Sequence, residues 1–365
     1  MDMLDIYNFT SSKTVSRDEV VQAAMKWHFS NDTGSSFWLE QRKNFAFDPL
    51  TDIKTVADLR NFPDVTEKYK TAKIEDLIPR GLIKYRGEFN IYESGGTTGN
   101  PTRIVERESR RIGLDYVNNM LVQHGISLEQ KGNWLHIGPA GPHIVGRSIG
   151  LLANHRKQQC FYIDFDPRWV KKLIQKGDIA QVKAYSKHII DQAADVLLTQ
   201  DVSVIFVTPP LLEILCQDQR IYSTLAEQLV AIIWAGTSID PDSLALLKSE
   251  FFAEQKIIGL YGNTLMGIAP QRPATAGDLY PCVFQPFEPF TIVDVVDPNN
   301  NQNIVPYDSR GLVRINLLTP ECFVPNRIER DEAIRVKSIS STQGDGLAEI
   351  TPPAKSGKAI IEGLY

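Results

Sequence analysis

The most regular pattern along the chain is an alternation of short apolar runs with longer amphipathic segments, between residues 91 and 275. Runs of four to six mostly apolar residues predict strands, whereas apolar positions spaced by three or four residues predict helices between them. Because strands that alternate with helices form parallel sheets covered on their faces, an α/β fold is expected. The predicted strands are 134–137, 160–163, 202–207, 230–234 and 256–260, and the predicted helices include 108–124, 179–198 and 240–252.

The two ends of the chain have different patterns of apolar and polar residues. Residues 1–90 predict helices and loops, with Asp18 as the N-cap of a helix whose apolar residues share one face. After about residue 276, short apolar runs are separated by Pro, Asn and Gly, which predicts a small antiparallel β-subdomain. The predicted organisation is a helix-covered α/β core (1–275) with parallel-rich sheets, a C-terminal β-subdomain (276–340) and a tail (341–365).

Composition and charge exclude several classes of function. The 365 residues are 42% hydrophobic and 23% charged, as in an ordinary folded enzyme. A net charge of −5 argues against nucleic acid or an anionic membrane as partner, and no stretch approaches the roughly 18 apolar residues of a membrane-spanning helix. The four scattered cysteines form no CxxC pair, so neither a zinc site nor a disulfide framework is expected. We expect a reduced, cytoplasmic protein without a secretory signal.

The strongest candidate for chemistry is a loop rich in glycine and hydroxyl residues. Three glycines and three hydroxyl residues occupy six consecutive positions: Ser94, Gly95, Gly96, Thr97, Thr98 and Gly99. Glycines let the backbone approach an anion closely, successive amides can surround phosphate oxygens, and hydroxyls add donors. The loop lacks the Gly-Lys-Ser/Thr of a Walker A motif. It predicts a phosphate site, with a plain surface turn as the alternative.

This loop, followed by Pro101, resembles the phosphate-binding loop of the adenylate-forming superfamily. Its Pro101-Thr102 ending is most similar to the phenylacetate–CoA ligase branch. The resemblance covers about residues 85–335, because other segments resemble family motifs and occur in the family's order. These are Val-Thr-Pro-Pro-Leu-Leu (207–212), Trp-Ala-Gly-Thr-Ser (234–238), Tyr-Gly-Asn-Thr (261–264), Gly-Leu-Val-Arg (311–314) and Arg-Ile-Glu-Arg-Asp (327–331).

The resemblance implies the large N-terminal domain of an adenylate-forming enzyme. The implied reaction is ATP-dependent activation of an aromatic carboxylic acid to its acyl-adenylate. The implied setting is secondary metabolism, in particular phenazine antibiotic synthesis. The acyl group would then pass to a separate reductase, transferase or carrier protein, with reduction to the aldehyde as one outcome.

The resemblance also implies roles for individual residues. Thr264 would contact the α-phosphate and His143 would be the second catalytic residue, while Tyr261 would stack on adenine and Asp331 would accept hydrogen bonds from the ribose. The implied nucleotide-binding residues are Ser94, Gly95, Gly96, Thr97, Thr98, Gly99, Gly236, Thr237, Tyr261, Gly262, Asn263 and Asp331.

The acid would be bound at the ends of two predicted strands. Either His136 or His143 can position its carboxylate, although a polar loop histidine without a special role is an equally open interpretation. The implied substrate-binding residues are His136, Gly138, Thr208 and Pro209.

Two departures from the family pattern weaken the expectation of full catalysis. Leu265 stands where the family has a metal-binding Glu, so no protein ligand for Mg²⁺ is expected, and the ion would be held only by phosphates and water. Only 34 residues follow Asp331, too few for the family's mobile C-terminal domain, and neither Lys355 nor Lys358 is assigned to catalysis.

These departures keep two other functions open. An acyl-protein synthetase would carry the acyl group on a cysteine near its C-terminus, but the last cysteine here is Cys322, within the predicted β-subdomain. A non-catalytic relative would bind nucleotide or acid without joining them, as Leu265 suggests.

Overall fold

A computed structural model describes residues 3–9, 15–94, 101–339 and 344–352. The chain divides into two compact units. The first unit comprises Met1–Gly113, Gly262–Ala269 and Gln285–Pro352, and the second comprises Leu114–Tyr261, Pro270–Phe284 and Pro353–Tyr365. No helix in the described ranges is both long and apolar enough to cross a membrane.

Helices occur in both units. Beside two 3-10 segments (Val56–Asn61 and Arg80–Glu88) and one π-helical turn (Leu247–Phe251), the described ranges contain the following α-helices. They are α1 (Met3–Ile6), α2 (Arg17–Phe29), α3 (Ser36–Arg42), α4 (Pro49–Asp52), α5 (Thr66–Tyr69), α6 (Ile74–Leu77), α7 (Glu108–Gln123), α8 (Ile144–His155), α9 (Pro167–Gln175), α10 (Ile179–Thr199), α11 (Pro209–Cys216), α12 (Gln219–Gln228) and α13 (Pro241–Leu246).

The strands follow the two hydrophobic patterns of the sequence, and the predicted parallel strands lie in the middle of the chain. They are β1 (Asn90–Glu93), β2 (Arg103–Glu106), β3 (Asn133–Gly138), β4 (Cys160–Asp164), β5 (Val202–Val207), β6 (Ala231–Trp234), β7 (Lys256–Asn263), β8 (Gly267–Pro270), β9 (Val283–Phe284), β10 (Thr291–Asp297), β11 (Asn300–Ile304), β12 (Arg310–Leu318), β13 (Phe323–Val336) and β14 (Gly346–Thr351).

A parallel sheet with the strand order β4-β3-β5-β6-β7 forms the core of the second unit. Every residue of β5 and β6 is buried, as expected for strands covered on both faces. Helices α8 and α10 pack against the sheet at β4. The α/β fold and all five predicted strands are confirmed, and the carboxyl ends of the strands meet at one edge, where ligands of such sheets bind.

An antiparallel sheet with the order β11-β10-β12-β13-β14 forms the core of the first unit. It confirms the predicted C-terminal β-subdomain. The predicted tail is not entirely a tail, since β14 lies within it and pairs with β13. Val336 of β13 is opposite Gly346 of β14 in this pairing.

The N-terminal helices group with this antiparallel sheet, whereas the predicted organisation grouped them with the α/β core. The reason is a cluster of aromatic rings in which Phe29, Trp38 and Phe62 surround Phe323 of β13, with centroids 4.9–5.7 Å apart. The hydroxyl of Tyr69 also donates to the Phe323 carbonyl over 2.7 Å. Sequence periodicity cannot detect such contacts between distant segments.

Two predicted helix boundaries are corrected. The N-cap of α2 is Ser16 rather than Asp18, because Ser16 and Glu19 form a reciprocal capping box. Asp18 instead accepts a hydrogen bond from the Val56 amide over 2.8 Å. The predicted helix over 240–252 does begin at its Asp240 cap, but it is α-helical only to Leu246 and then widens into the π-helical turn.

Candidate functional site

The predicted phosphate loop joins the two strands of a hairpin in the first unit. Strands β1 and β2 are antiparallel, with Glu93 opposite Arg103. The base of the loop is closed by two hydrogen bonds of 2.9 Å, from the Ser94 amide to the Thr102 carbonyl and from the Thr102 amide to the Ser94 hydroxyl oxygen. Gly95, Gly96, Thr97, Thr98 and Gly99 lie outside the described residues. These two hydrogen bonds fix the ends of the loop, and Ser94 takes part in both of them.

Thr264 lies beside this hairpin. Its hydroxyl donates to the Glu93 carbonyl over 3.4 Å, which brings together two motifs separated by 171 residues. Thr264 is buried, and the turn around it is shaped by Asn263, whose side-chain oxygen accepts hydrogen bonds from the amides of Leu265 and Met266 at 2.9 and 3.0 Å. Gly262 faces the Gly267 carbonyl so closely that no side chain fits. The Tyr-Gly-Asn-Thr segment thus forms a tight turn against the start of the predicted phosphate loop.

Leu265 is buried, with 4% of its surface exposed. An apolar side chain packed in this way cannot ligate Mg²⁺, which requires oxygen ligands. Among the described residues, no group of three or more His, Cys, Asp or Glu side chains could hold a metal ion. The residues at this position therefore do not fit the protein-bound Mg²⁺ that the adenylate-forming resemblance would imply.

Asp331 lies in the middle of β13, also in the first unit. The pairing of β12 with β13 shifts here, since Leu312 is opposite Glu332 but Arg314 is opposite Ile328. Asp331 is therefore part of a bulge, and bulges often redirect a side chain at a functional site. Arg327 is paired elsewhere, with Glu329 at 3.2 Å.

In the second unit, the predicted residues lie at the carboxyl edge of the parallel sheet. Thr208 directly follows β5 and is the N-cap of α11, whose first residue is Pro209. Thr208 is fully buried, and its hydroxyl has no hydrogen-bond partner among the described residues. The Thr237 hydroxyl, beyond the end of β6, is buried in the same unpartnered way, next to Gly236 at a φ of 86°. Unpartnered buried hydroxyls are uncommon, and they indicate an edge with spare hydrogen-bonding capacity.

The two candidate histidines lie on either side of the loop after β3, His136 within β3 and His143 at the start of α8. His136 is fully buried, stacked on Phe206 at 5.0 Å, and its Nε2 donates to the Pro139 carbonyl over 3.3 Å. Burial lowers the pKa of His136 to about 4, so the ring is neutral at pH 7. Gly138 is required beside it, because a Cβ there would lie 3.0 Å from the ring. His143 is half-buried at the N-cap position of α8.

Tyr261, which is predicted to stack on adenine, belongs to an aromatic cluster of the second unit. Tyr261 contacts Phe284 edge-on at 6.2 Å, and Trp234 contacts the same ring at 6.1 Å. Gly259 lies beneath them, and a Cβ there would lie 2.8 Å from Trp234 and 2.9 Å from Phe284. The half-buried Tyr261 ring is thus held at the rim of a packed cluster.

Sequence reasoning missed two residues that shape this edge. Asp164, the last residue of β4, accepts a hydrogen bond from the Ala140 amide over 2.9 Å and holds the 139–143 loop. Its position at a strand end was a usable signal. Phe284 lies in a two-residue strand with no pattern of its own, and only the packed structure reveals its contacts.

The cysteines bear on the acyl-protein alternative. Cys322 is buried, and burial raises the pKa of its thiol well above the usual value of 9. Burial likewise raises the pKa values of Cys160, Cys216 and Cys282 to about 11. Because the thiolate is the nucleophilic form, none of these four thiols is suited to accept an acyl group.

No protein-family model matches the sequence, and no curated protein matches it. Solved structures do, and among the most similar is 2-hydroxyisobutyryl-CoA ligase. Its complex with 2-HIB-AMP and CoA in the thioesterification state has a TM-score of 0.63 and 13% identity, over 93% of this chain and 68% of the ligase. An open conformation of that ligase with 2-HIB-AMP and CoA has a TM-score of 0.61 and 14% identity, over 94% and 74% of the two chains. The chain therefore has the α/β fold of adenylate-forming CoA ligases.

Proposed function

We propose that this protein activates an aromatic carboxylic acid with ATP, forming an acyl-adenylate and pyrophosphate. In this reaction a carboxylate oxygen attacks the α-phosphorus, and the bond to the bridging oxygen of pyrophosphate breaks. The observation that carries the proposal is the hydrogen bond between Thr264 and the Glu93 carbonyl, which brings the Tyr-Gly-Asn-Thr segment to the start of the predicted phosphate loop. The fold shared with 2-hydroxyisobutyryl-CoA ligase supports it.

The proposed nucleotide roles are those that the sequence resemblance implies. In the first unit, residues 94–99 would hold the β- and γ-phosphates, Thr264 would donate to an α-phosphate oxygen, and the bulge at Asp331 would present its carboxylate to the ribose. In the second unit, Tyr261 would stack on adenine beside Gly236 and Thr237. Positioning and donors aimed at phosphoryl oxygens are what adenylation requires from the protein.

The acid roles lie at the carboxyl edge of the sheet in the second unit. The unpartnered hydroxyl of Thr208, together with Pro209 and Gly138, would contact the acyl group. His143, at the start of α8, would contact the carboxylate. Because His136 is neutral and fully buried, we assign it to positioning the 138–143 loop through Pro139 rather than to pairing with a carboxylate by charge.

The finer description of the substrate rests on the sequence resemblance. We propose a phenazine carboxylate as the acid and antibiotic biosynthesis as the setting, with a separate reductase, transferase or carrier protein receiving the acyl group. Reduction of the activated acid would yield the aldehyde.

A second candidate function is binding of nucleotide and acid without adenylation. The observation in its favour is the buried Leu265 in place of the metal-binding carboxylate. Under this alternative AMP binds, but no acid promotes a reaction with ATP.

The proposed substrate class can be tested by thermal shift with a set of aromatic acids, including phenazine carboxylates, in the presence and absence of ATP. A ligand that binds the native state raises the apparent melting temperature by mass action. We expect a phenazine carboxylate to raise it, and to raise it further with ATP. Stabilisation by aliphatic acids alone would contradict the substrate assignment.

A further inference from the structure

A basic segment stands out in a protein whose net charge is −5. Between residues 167 and 188, in α9 and the first half of α10, there are six Lys or Arg side chains and only one Asp. Isolated charges on a surface need no explanation, but a local excess of one sign opposite to the net charge creates a directional field.

Three of these cations have no acidic partner. Lys172, Lys176 and Lys183 are exposed, and none of their side-chain amines has a hydrogen bond or ion pair with any residue in the described ranges. Lys187 differs, since it pairs with Asp191 over 2.6 Å. The three unpartnered amines are therefore available to another molecule.

Apolar side chains accompany the three lysines. Trp169 lies three residues before Lys172 on the same face of α9, Lys176 is the C-cap of that helix, and 44% of the Trp169 surface is exposed. Ile179, the first residue of α10, is 49% exposed. An exposed Trp beside positive charge is typical of protein interfaces, where aromatic anchors supply much of the binding energy. We call Trp169, Lys172, Lys176, Ile179 and Lys183 the basic surface.

The basic surface lies toward the carboxyl edge of the parallel sheet. Helix α9 begins three residues after β4 ends, and Asp164 at that end holds the 139–143 loop. The first half of α10 contacts the segment that directly follows β4. The Tyr185 ring stacks on Phe165 at 5.9 Å, and the Tyr185 hydroxyl accepts a hydrogen bond from the Asp166 amide over 3.0 Å. The buried residues of α10 lie from its middle onward: Ile189, Ala193 and Leu197.

We propose that the basic surface docks an acidic protein, and that this protein is the acceptor of the activated acyl group. The role as acceptor rests on the proposed function, whereas the docking itself does not. In the transfer, a thiol of the acceptor attacks the acyl carbon as thiolate, the carbon–oxygen bond to AMP breaks, and AMP leaves with the bonding pair. Complementary charge would speed encounter and orient the acceptor at the edge that carries His143 and Thr208.

The docking is tested with a phosphopantetheinylated acyl carrier protein of bacterial fatty-acid synthesis, a small acidic protein, as the probe. Its binding is measured without ATP or acid, at about 0.05 M and about 0.5 M salt, because screening weakens contacts between exposed charges. We expect binding at low salt, and at least tenfold weaker binding for the Lys172→Glu/Lys176→Glu/Lys183→Glu variant. The corresponding triple Gln variant, which is milder for folding, should lose binding in the same direction.

The matched control is Lys26→Glu/Lys54→Glu/Lys73→Glu, which changes the net charge equally at three exposed lysines of the first unit. It should retain most of the binding. Equal losses in both triple variants, absence of binding at low salt, or stronger binding to phosphatidylglycerol vesicles or duplex DNA than to the carrier protein would each overturn the proposal. Carboxylate-dependent exchange of pyrophosphate into ATP, which tests the proposed function separately, should be unchanged in the basic-surface variants.

Discussion

At the scale of single residues, burial decides which side chains can carry charge. His28 of α2 is 1% exposed, its Nε2 donates to the Thr319 carbonyl over 2.9 Å, and it stacks on Phe323. His136 is buried in the same manner in the second unit. Both rings are neutral in the folded protein, so they act through hydrogen bonds and packing rather than through charge.

We predict that His28 makes the protein less stable in acid. Burial lowers the pKa of His28 from 6.5 to about 4, so the unfolded chain binds a proton in this range and the folded chain does not. The contribution is complete above pH 6.5 and is lost as the pH falls toward 4, by about 2–3 kcal/mol. Urea unfolding at pH 7 and pH 4.5 should show a smaller pH dependence for His28→Gln than for wild type. The exposed His188→Gln serves as control, and an identical pH dependence in all three proteins would contradict the prediction.

Asp331 offers a residue-scale test of nucleotide binding. If its carboxylate accepts hydrogen bonds from the ribose, Asp331→Ala should weaken AMP and ATP alike, by tenfold or more, because each charge-assisted hydrogen bond contributes about 1.5–3 kcal/mol. Titration with AMP and 2′,3′-dideoxy-AMP measures this. Wild type should prefer AMP and the variant should not. A variant that still discriminates between the two would remove Asp331 from the nucleotide site.

The phosphate loop can be tested through its two threonines. Thr97→Val/Thr98→Val removes two hydroxyl donors, so ATP affinity should fall more than acid affinity. Calorimetric titration with each ligand measures both. Equal losses for ATP and acid would point to a structural loop.

At the scale of secondary-structure elements, the sequence predicted the helices and strands whose signal lies within a few neighbouring residues. The five parallel strands are confirmed because each is a short apolar run, and the Asp240 cap is confirmed because its signal lies within a few residues. The grouping of the N-terminal helices with β13 could not be predicted in this way, since it depends on rings such as Phe29 and Phe323 that are almost 300 residues apart. The same holds for the candidate site, since Thr264 was predicted from a local motif, whereas its contact with the distant Glu93 was not.

The start of α7 shows how a distant residue fixes an element. The buried carboxylate of Glu321 accepts hydrogen bonds from the amides of Arg107, Glu108 and Ser109 at 2.7–3.1 Å. We predict that Glu321→Ala lowers the free energy of unfolding by at least about 1.5–3 kcal/mol, because three helix amides lose an anionic partner. Urea unfolding provides the measurement. Glu67→Ala, at an exposed ion pair, should cost at most about 1 kcal/mol, and equal effects would contradict the assignment.

The strand β7 depends on Gly259. We predict that Gly259→Ala destabilises the protein by about 1–3 kcal/mol, because the new methyl group overlaps the rings of Trp234 and Phe284. Gly113→Ala in α7 is the matched control, since its nearest neighbour would be 3.7 Å away, and it should be neutral or stabilising. Thermal unfolding of both variants measures the change in stability that each substitution causes. A harmless Gly259→Ala would show that the cluster around Tyr261 is loosely packed.

At the scale of the whole molecule, the shared fold does not determine the activity, which depends on the residues of the candidate site. The chain matches 2-hydroxyisobutyryl-CoA ligase over most of its own length at 13% identity, which carries the fold but not the reaction. The arguments for adenylation are the closed base of the predicted phosphate loop, the contact of Thr264 with Glu93 and the unpartnered hydroxyls at the sheet edge. Leu265 counts against adenylation, because it stands in place of a metal-binding carboxylate.

The measurement that weighs these arguments most directly is exchange of labelled pyrophosphate into ATP, dependent on a carboxylic acid. We predict exchange with wild type and an aromatic acid, none without acid, and at least a tenfold loss in Thr264→Val. The exposed Thr275→Val should exchange like wild type. Binding of AMP without exchange for any aromatic acid, phenazine carboxylates included, would contradict adenylation and leave a nucleotide-binding protein in its place.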